Sequence, residues 1–286
     1  MQAIKVGEIV VRKSYNGDII FRVEQIVKVA VGQDIAILKG INMRLLADAP
    51  VEDLQIYKKQ ELIETTKQNE ELVNTYLNKL VLHRSRGARE YRLSTTKEDY
   101  YNIPGSVLHI DGDDNYLKKC IDAYAKLNIP ANGYLVPEKD MPTKVVQYVS
   151  LHQPDIIVIT GHDGLLKDAK DFANIDNYRN SRFFMEAVKA VRKVSPDRDG
   201  ITIFAGACQS HYEALITAGA NFASSPQRVL IHAFDPVFVV EKIAFTSFKE
   251  TLTITDVIAS SITGPEGIGG VETRGKFRLG YPKSPY

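Results

Sequence analysis

The sequence predicts an α/β protein in which a parallel sheet, covered by helices, follows a small β domain. Three observations support this fold class. After residue 105, short apolar runs alternate with segments of helical spacing, as is typical of a parallel sheet with helices on both faces. The first 57 residues contain only strand-like runs and turns, and a polar helical segment lies between the two parts. We therefore divide the chain into 1–57, 58–104 and 105–286.

The composition is typical of a globular protein in a reducing compartment. Of 286 residues, 44% are hydrophobic and 25% are charged, and 36 basic side chains nearly balance 35 acidic ones. This balance gives no reason to expect a nucleic-acid partner, and no apolar run approaches the roughly 18 residues that span a membrane. Two cysteines, Cys120 and Cys208, are too few for a disulfide framework. Met1 begins no secretory pattern, so we expect a cytoplasmic protein without a membrane partner.

Residues 1–57 are predicted to form a small β domain. The runs 6–11, 19–23 and 35–38 are apolar or alternate between apolar and polar residues. Asn16-Gly17-Asp18 separates the first two runs, and Asn-Gly is a strong signal for a β hairpin. The expected shape is an SH3-like barrel, which would mediate interactions or only cover part of the main domain.

Residues 58–80 are predicted to form an amphipathic helix that leads into an exposed connector. The apolar side chains of the helix lie roughly on one stripe, and the remaining residues are mainly Glu, Lys, Gln and Asn. The stripe consists of Leu62, Leu72, Tyr76, Leu77 and Leu80. Residues 83–92 then carry arginines around Gly87, a composition typical of a solvated linker. These arginines are Arg84, Arg86, Arg89 and Arg92.

The main domain is predicted to contain five strands with intervening helices. The strands are expected at 106–110, 133–136, 155–160, 201–205 and 228–233. The helices are expected at 116–127, 143–151, 183–194 and 212–218. Cys120 lies on the predicted core stripe of the first helix, and residues 264–286 are predicted to be irregular. In parallel sheets of this kind, active sites collect beyond the carboxyl ends of the strands.

Two reactive side chains follow neighbouring predicted strands in the same layout. The third strand ends in Thr160-Gly161-His162, and the fourth ends in Gly206-Ala207-Cys208. The separation of His162 and Cys208 is 46 residues (208 − 162), which is enough for one helix and a loop. Because the carboxyl ends of parallel strands meet at one edge of a sheet, we expect the two side chains to lie together.

A cysteine beside a histidine is suited to nucleophilic catalysis. A free thiol with a pKa of about 8.5 is mostly protonated at neutral pH, and an imidazole can take its proton. We therefore predict that Cys208 is the nucleophile of a peptide hydrolase and that His162 is its proton-transfer partner. The N–H groups of Cys208 and Gly164 are the expected oxyanion donors. This chemistry needs no cofactor, and no residue pair has the spacing of a metal site.

These strand ends resemble those of the caspase-like (clan CD) cysteine peptidases, a group that includes clostripain, gingipain, legumain and separase. Their sign is an apolar strand ending in His-Gly, followed by an apolar strand ending in Ala-Cys. The corresponding segments here are 156–162 and 203–208, and the separation of 46 is close to the roughly 50 residues found in caspases. The resemblance implies a caspase-like α/β peptidase domain at 105–286, with His162 and Cys208 as its catalytic pair.

Over essentially its whole length, the chain also resembles the YabG family of sporulation-specific cysteine peptidases from spore-forming Bacillota. Segments 5–15, 108–113, 160–164 and 204–210 carry this resemblance. It implies an endopeptidase that processes spore coat and germination-related proteins after arginine. It also implies synthesis in the cytoplasm of the sporulating cell and association with the developing spore coat.

Two positions depart from the wider pattern. Asp163 stands where the group has glycine directly after histidine, and Gly206 stands where clostripain carries an acid that helps to recognise arginine. The acid for a P1 arginine must therefore come from elsewhere. Asp111 or Asp113, after the first strand, could pair with a guanidinium, or this acidic turn could simply cap the next helix.

A preference for arginine would make the basic connector a target of the peptidase itself. Self-cleavage would then separate the β domain from the peptidase domain. The candidate sites are Arg84, Arg86, Arg89 and Arg92.

Two other functions remain open from the sequence. A glutaminase-like amidotransferase also places a cysteine after a strand, but it needs a downstream histidine, and His232 follows Cys208 by only 24 residues (232 − 208). A non-catalytic spore-structure protein would use the barrel and connector for assembly. The oligomeric state is also open from the sequence.

Overall fold

The computed structural model describes residues 4–29, 32–94, 100–166 and 169–284, with the side chains of His83 and residues 85–94 left aside. Two compact units divide the chain, Met1–Val73 and Asn74–Tyr286. Within the described part, no helix is both long enough and apolar enough to cross a membrane.

The first unit contains an antiparallel sheet with the strand order β4-β3-β2-β1-β5. The strands are β1 Ile9–Arg12, β2 Phe21–Val27, β3 Ile35–Gly40, β4 Leu46–Pro50 and β5 Leu54–Ile56. Short 3₁₀ turns follow β1 and β4, at Lys13–Tyr15 and Val51–Asp53. Alternate residues of the strands enclose a small core made of Val10, Phe21, Val23, Ala36, Leu38, Ala49 and Leu54.

The hairpin predicted at Asn16-Gly17 is confirmed. β1 and β2 pair antiparallel, with Ile9 opposite Arg22. Asn16 and Gly17 have φ angles of 52° and 70°, a left-handed conformation that asparagine and glycine tolerate better than other residues.

Helix α1 runs from Lys59 to Ser94, a length of 36 residues. It does not end near residue 80, where the apolar stripe stops, but continues through the arginine-rich segment. Arg, Glu and Leu are strong helix formers, and the single Gly87 costs only about 1 kcal/mol. The predicted connector is therefore helical up to Ser94.

The second unit is built on a six-stranded sheet with the order β13-β11-β10-β9-β7-β8. Its strands are β7 Val107–Asp111, β8 Ala131–Leu135, β9 Ile156–Thr160, β10 Thr202–Ala205, β11 Phe222–Ser224 and β13 Ile268–Gly270. The first five are parallel, and β13 pairs antiparallel with β11 at the edge. Two small antiparallel pairs complete the strands, β6 Tyr101–Ile103 with β15 Arg278–Gly280, and β12 Thr251–Leu252 with β14 Thr273–Arg274.

The helices of the second unit cover this sheet. They are α2 Asp114–Lys126, α3 Met141–His152, α4 Ser181–Val194, α5 Tyr212–Ala218, α6 Asp235–Phe245 and α7 Ile254–Ser260. Every residue of β7, β9 and β10 is buried, which explains why these strands are apolar on both faces. Cys120 is fully buried on the inner stripe of α2, so its predicted core role is confirmed.

Two predictions about the second unit were wrong. The fifth strand is Phe222–Ser224, whereas the run 228–233 is not a strand of the sheet. Left-handed residues at Ser225, just before that run, and at Arg228, its first residue, turn the chain out of the extended direction. The segment after Gly264 is not irregular throughout, because it supplies β13, β14 and β15.

Candidate active site

The strand order reverses between β7 and β9, and the candidate site lies at this switch point. β8 lies beyond β7 on one side, and β10 lies beyond β9 on the other. In an open α/β sheet, a crevice forms outside the carboxyl ends of the strands where the order reverses. The residues that follow β7, β9 and β10 therefore meet at one edge.

Sheet register brings His162 and Cys208 to equivalent positions. Ile159 of β9 pairs with Ala205 of β10. His162 and Cys208 each follow this pair by three residues, just beyond the ends of the two strands. The Gly206 N–H donates to the Ile159 carbonyl at 3.0 Å, so the pairing continues past the end of β10. The two residues consequently lie at the same edge, on neighbouring strands.

His162 is held by contacts with its backbone and its ring. Its N–H donates to Glu138 Oε1 at 2.9 Å, and its carbonyl accepts from Asn180 Nδ2 at 2.7 Å. Its ring Nε2 lies 2.7 Å from Asp113 Oδ2, and the ring packs on Tyr116 with centroids 5.8 Å apart. The other ring nitrogen, Nδ1, is buried and has no hydrogen-bond partner among the described residues. His162 thus has one ring nitrogen held by a carboxylate and one without a hydrogen-bond partner among the described residues.

Cys208 is fully buried beneath a segment of backbone. The Ile231 N–H donates to Cys208 Sγ at 3.3 Å, and Sγ lies 3.8 Å from the Ile231 carbonyl oxygen. The Gln209 N–H donates to the Val229 carbonyl at 3.1 Å, which ties the same segment to the turn after β10. The run predicted as a fifth strand therefore covers the thiol.

Asp163 joins the turn that carries His162 to the turn that carries Cys208. Its Oδ1 accepts from the N–H groups of Gly164 at 2.9 Å and Asn180 at 2.8 Å. Its Oδ2 accepts from the hydroxyls of Ser181 and Ser210, and Ser210 Oγ accepts in turn from the Ala207 N–H at 2.9 Å. Burial raises the pKa of Asp163, against the opposing effect of these hydrogen bonds. The residue that departs from the His-Gly pattern is therefore a buried link between the two turns.

Glycine is required at position 206. Its φ of +104° lies in a region that residues with side chains rarely adopt. A Cβ there would stand 2.5 Å from Ser224 Oγ and 2.8 Å from Leu215 Cδ1. This explains why no acid can occupy the position two residues before Cys208.

Asp111 and Asp113 both have partners inside the second unit. Asp111 is fully buried, and its two oxygens accept from the Asp113 N–H and the Thr160 hydroxyl, each at 2.9 Å. Asp113 caps α2 by accepting from the Tyr116 N–H at 3.1 Å, and its other oxygen faces His162. The acidic turn does cap the following helix, and the role in P1 recognition stays a prediction.

The Gly164 N–H, a predicted oxyanion donor, points to the carboxylate of Asp163 at 2.9 Å. It would have to exchange this partner to serve an oxyanion. The oxyanion roles of Gly164 and Cys208 stay predictions.

Glu138 is a site residue that the sequence interpretation missed. Its carboxylate lies against Gly112 and Gly161, where a Cβ on either residue would collide with it. From there it accepts the hydrogen bond of the His162 N–H. The available signal was a glycine directly after β7 and another after β9, which leaves room for an approaching side chain.

Arg84, a predicted autocleavage site, is anchored within the second unit. Its Nε lies 3.0 Å from Glu241 Oε1, its Nη1 donates to the Leu127 carbonyl at 2.9 Å, and its guanidinium stacks 3.9 Å from the centroid of the Phe245 ring. Burial lowers the pKa of Arg84, and burial also raises the pKa of Glu241 to about 7. The side chains of the other candidates, Arg86, Arg89 and Arg92, lie outside the described residues.

His232, which the amidotransferase hypothesis needs, stabilises the turn before α6. Its Nδ1 accepts from the Phe234 N–H at 3.3 Å, and its own N–H donates to Asp235 Oδ2 at 3.0 Å. These are local contacts of the loop that leads into α6.

Comparisons with known proteins agree with the resemblance seen in the sequence. The family model described as YabG peptidase U57 matches residues 5–282. The chain belongs to the YabG peptidase family. One relative in this family is the sporulation-specific protease YabG of Bacillus subtilis (strain 168), which is 42% identical over 97% of this chain and 98% of its own length. Membership of the YabG family identifies a peptidase, and the residues of the site bear on how it works.

Proposed function

We propose that the protein is a cysteine endopeptidase in which Cys208 is the nucleophile and His162 moves the proton. One observation carries the proposal. Two reactive side chains lie three residues beyond a paired position of neighbouring parallel strands, and the buried Nδ1 of His162 has no hydrogen-bond partner among the described residues. The bridge from Asp163 to Ser210 supports it further, because it holds the two turns in fixed relation.

The proposed reaction has two halves. His162 Nδ1 accepts the thiol proton, and the thiolate attacks the carbonyl carbon of the scissile peptide bond. The imidazolium then gives this proton to the leaving amine, and the acyl-enzyme forms. Water hydrolyses the acyl-enzyme with His162 acting as the base. The proposed oxyanion donors are the N–H groups of Cys208 and of Gly164, the latter after release from Asp163.

Substrate must displace the segment that covers the thiol. The Ile231 N–H donates to Cys208 Sγ at 3.3 Å, so backbone of this segment lies against the sulfur that a substrate carbonyl would have to approach. Arg228 secures one end of this segment through Tyr178 Oη at 2.6 Å and through Glu213. We propose that this segment moves before catalysis.

We further propose a caspase-like arrangement for the second unit and an SH3-like barrel for the first. Five parallel strands with an antiparallel strand at one edge, and a cysteine and histidine at their carboxyl ends, support the former. Five short antiparallel strands around a small core of their own support the latter.

For substrates, we propose spore coat and germination-related proteins, cut after arginine. The support is the shared family with a sporulation-specific protease, together with the sequence resemblance. Such substrates place the enzyme at the developing spore coat. Asp111 and Asp113 remain the proposed acids for a P1 arginine, although Asp113 already faces His162.

We also propose autoprocessing in the arginine-rich part of α1. Proteases that bind extended peptides need this part of the helix to unwind first. For cleavage after Arg84, its guanidinium would first have to leave Glu241 and the Leu127 carbonyl to enter the P1 pocket. Arg86, Arg89 and Arg92 are the other proposed sites.

The test compares Cys208→Ala and His162→Ala with the wild type on a protein substrate that contains arginine. Cys120→Ala is the matched control, because Cys120 is the chain's other cysteine and is buried on α2. We expect both site variants to lose cleavage and the control to retain it. Mass spectrometry of the products locates the cut after arginine and any cut in α1. Equal cleavage by all four proteins would refute the catalytic pair.

A further inference from the structure

We infer that Asp113 is a third residue of the site, a positioning carboxylate that sets the tautomer and the ring orientation of His162. This inference rests on the proposed role of His162. The geometry is that of a buried charge-assisted pair. Asp113 Oδ2 lies 2.7 Å from His162 Nε2, and the two residues are 4% and 7% exposed.

The carboxylate decides which ring nitrogen carries the proton. An ionised carboxylate only accepts hydrogen bonds, so the nitrogen that faces it must be N–H. In the neutral ring the proton then sits on Nε2, and Nδ1 keeps its lone pair. Nδ1 is the nitrogen without a partner, so the arrangement leaves the base ready to accept the thiol proton.

Asp113 is itself held from two sides. Its Oδ1 accepts from the Tyr116 N–H at 3.1 Å at the first turn of α2, and its own N–H donates to Asp111 Oδ1 at 2.9 Å. Asp111 is fixed in turn by Thr160, whose hydroxyl lies 2.9 Å from His109 Nε2. A buried polar network therefore locks the carboxylate, and its two oxygens divide between the helix and the imidazole.

The position follows from sheet register. Asp111 of β7 pairs with Thr160 of β9, so Asp113 and His162 stand two positions beyond this pair on adjacent strands. The carboxylate also stabilises the imidazolium that forms when the thiol loses its proton. Without this carboxylate, the partial positive charge at the N-terminus of α2 would destabilise the imidazolium of His162.

The experiment must separate positioning from helix capping. Asp113→Asn keeps the cap, because asparagine is as good an N-cap as aspartate. With its oxygen on the Tyr116 N–H, its NH₂ group faces Nε2 and donates to it. The ring proton is then forced onto Nδ1, where it blocks the base. Asp113→Ser also keeps the cap but is too short to reach the ring, and Asp114→Asn removes an exposed charge from the same turn.

Two measurements are made on the full chain. Nitrogen-15 NMR, with the resonance assigned through His162→Gln, reports the tautomer of His162. We expect Nε2–H in the wild type and in Asp114→Asn, Nδ1–H in Asp113→Asn, and a mixture in Asp113→Ser. Kinetics on the arginine substrate should show kcat lower by on the order of 10²- to 10⁴-fold in both Asp113 variants, with KM little changed.

An unchanged tautomer in Asp113→Asn, with kcat within about twofold of the wild type, would reduce Asp113 to a helix cap. The tautomer is measured without turnover, so it tests this inference separately from the peptidase proposal. If Cys208→Ala cleaves as well as the wild type, the proposed function fails while the NMR result still decides the role of Asp113. If Asp113→Asn does not fold, Asp113→Ser carries both measurements.

Discussion

Replacing the buried carboxylate of Asp163 should destabilise the second unit more than any exposed acidic substitution. In Asp163→Ala four donors lose their acceptor at once. They are the N–H groups of Gly164 and Asn180 and the hydroxyls of Ser181 and Ser210. Because these donors come from the turn after β9, the start of α4 and the turn after β10, the loss affects three elements together.

The magnitude follows from the number of donors. A buried donor left unsatisfied costs about 1–3 kcal/mol, and water entering the vacated space brings each donor toward the lower limit. Four donors at about 1 kcal/mol give a loss of about 4 kcal/mol in the free energy of unfolding. Asp163→Asn keeps one acceptor oxygen for the two N–H groups, so we expect a loss of about 2 kcal/mol.

Urea denaturation followed by circular dichroism measures this free energy, and cleavage of the arginine substrate is measured alongside. Asp171→Ala is the matched control in the same loop, because among the described residues its exposed carboxylate accepts only a local hydrogen bond, from the Ala173 N–H at 3.0 Å. We expect this control to lose no more than about 1 kcal/mol. We expect Asp163→Asn to fold with reduced kcat, since the two turns shift. A loss below about 1 kcal/mol in Asp163→Ala would refute the bridging role.

Two further predictions concern Glu241 and Arg228. Burial raises the pKa of Glu241 from its ordinary value to about 7, so the folded state binds this proton more tightly than the unfolded state. The resulting stabilisation is present below about pH 4.5 and is lost as the pH rises through about 7, by roughly 3 kcal/mol. Glu241→Gln should remove this slope in urea denaturation between pH 4.5 and pH 8, and an unchanged slope would assign it to other groups. Arg228→Ala should free the segment over Cys208, and losing about 1.4 kcal/mol of its hydrogen bonds would raise alkylation of Cys208 about tenfold. Peptide mapping of iodoacetamide-treated protein measures this rate, and Arg198→Ala is the exposed control. Equal rates in Arg228→Ala and the wild type would contradict the role of Arg228 in holding this segment.

Much of the fold follows from local pattern in the sequence. The apolar runs that became β7, β9 and β10 are buried on both faces, so their composition alone identifies central strands of a parallel sheet. The hairpin at Asn16-Gly17 is equally local, because the left-handed backbone there suits these two residues. The arrangement of His162 and Cys208 at one edge follows from two strand ends of identical layout.

Other features depend on contacts that local pattern cannot specify. The run 228–233 has the composition of a strand, but left-handed residues just before it and at its first position turn the chain, and its backbone contacts Cys208. The length of α1 was underestimated because the apolar stripe stops before the helix does. Helix propensity continues through the arginines, and Arg84 gains partners on other elements.

The sequence by itself determined the α/β class of fold and the family to which the chain belongs, and it predicted His162 and Cys208 as the reactive pair. Only the tertiary structure decided how Asp113, Glu138 and Asp163 are used. The reason is that β8 lies outside β7, so β7 and β9 become neighbours although another strand separates them along the chain. That strand order brings a carboxylate after β7 to the imidazole after β9. Hydrogen bonds between different turns then hold His162 and Cys208 in place. The residue pattern of a single strand does not predict such bonds, because their partners come from distant parts of the sequence.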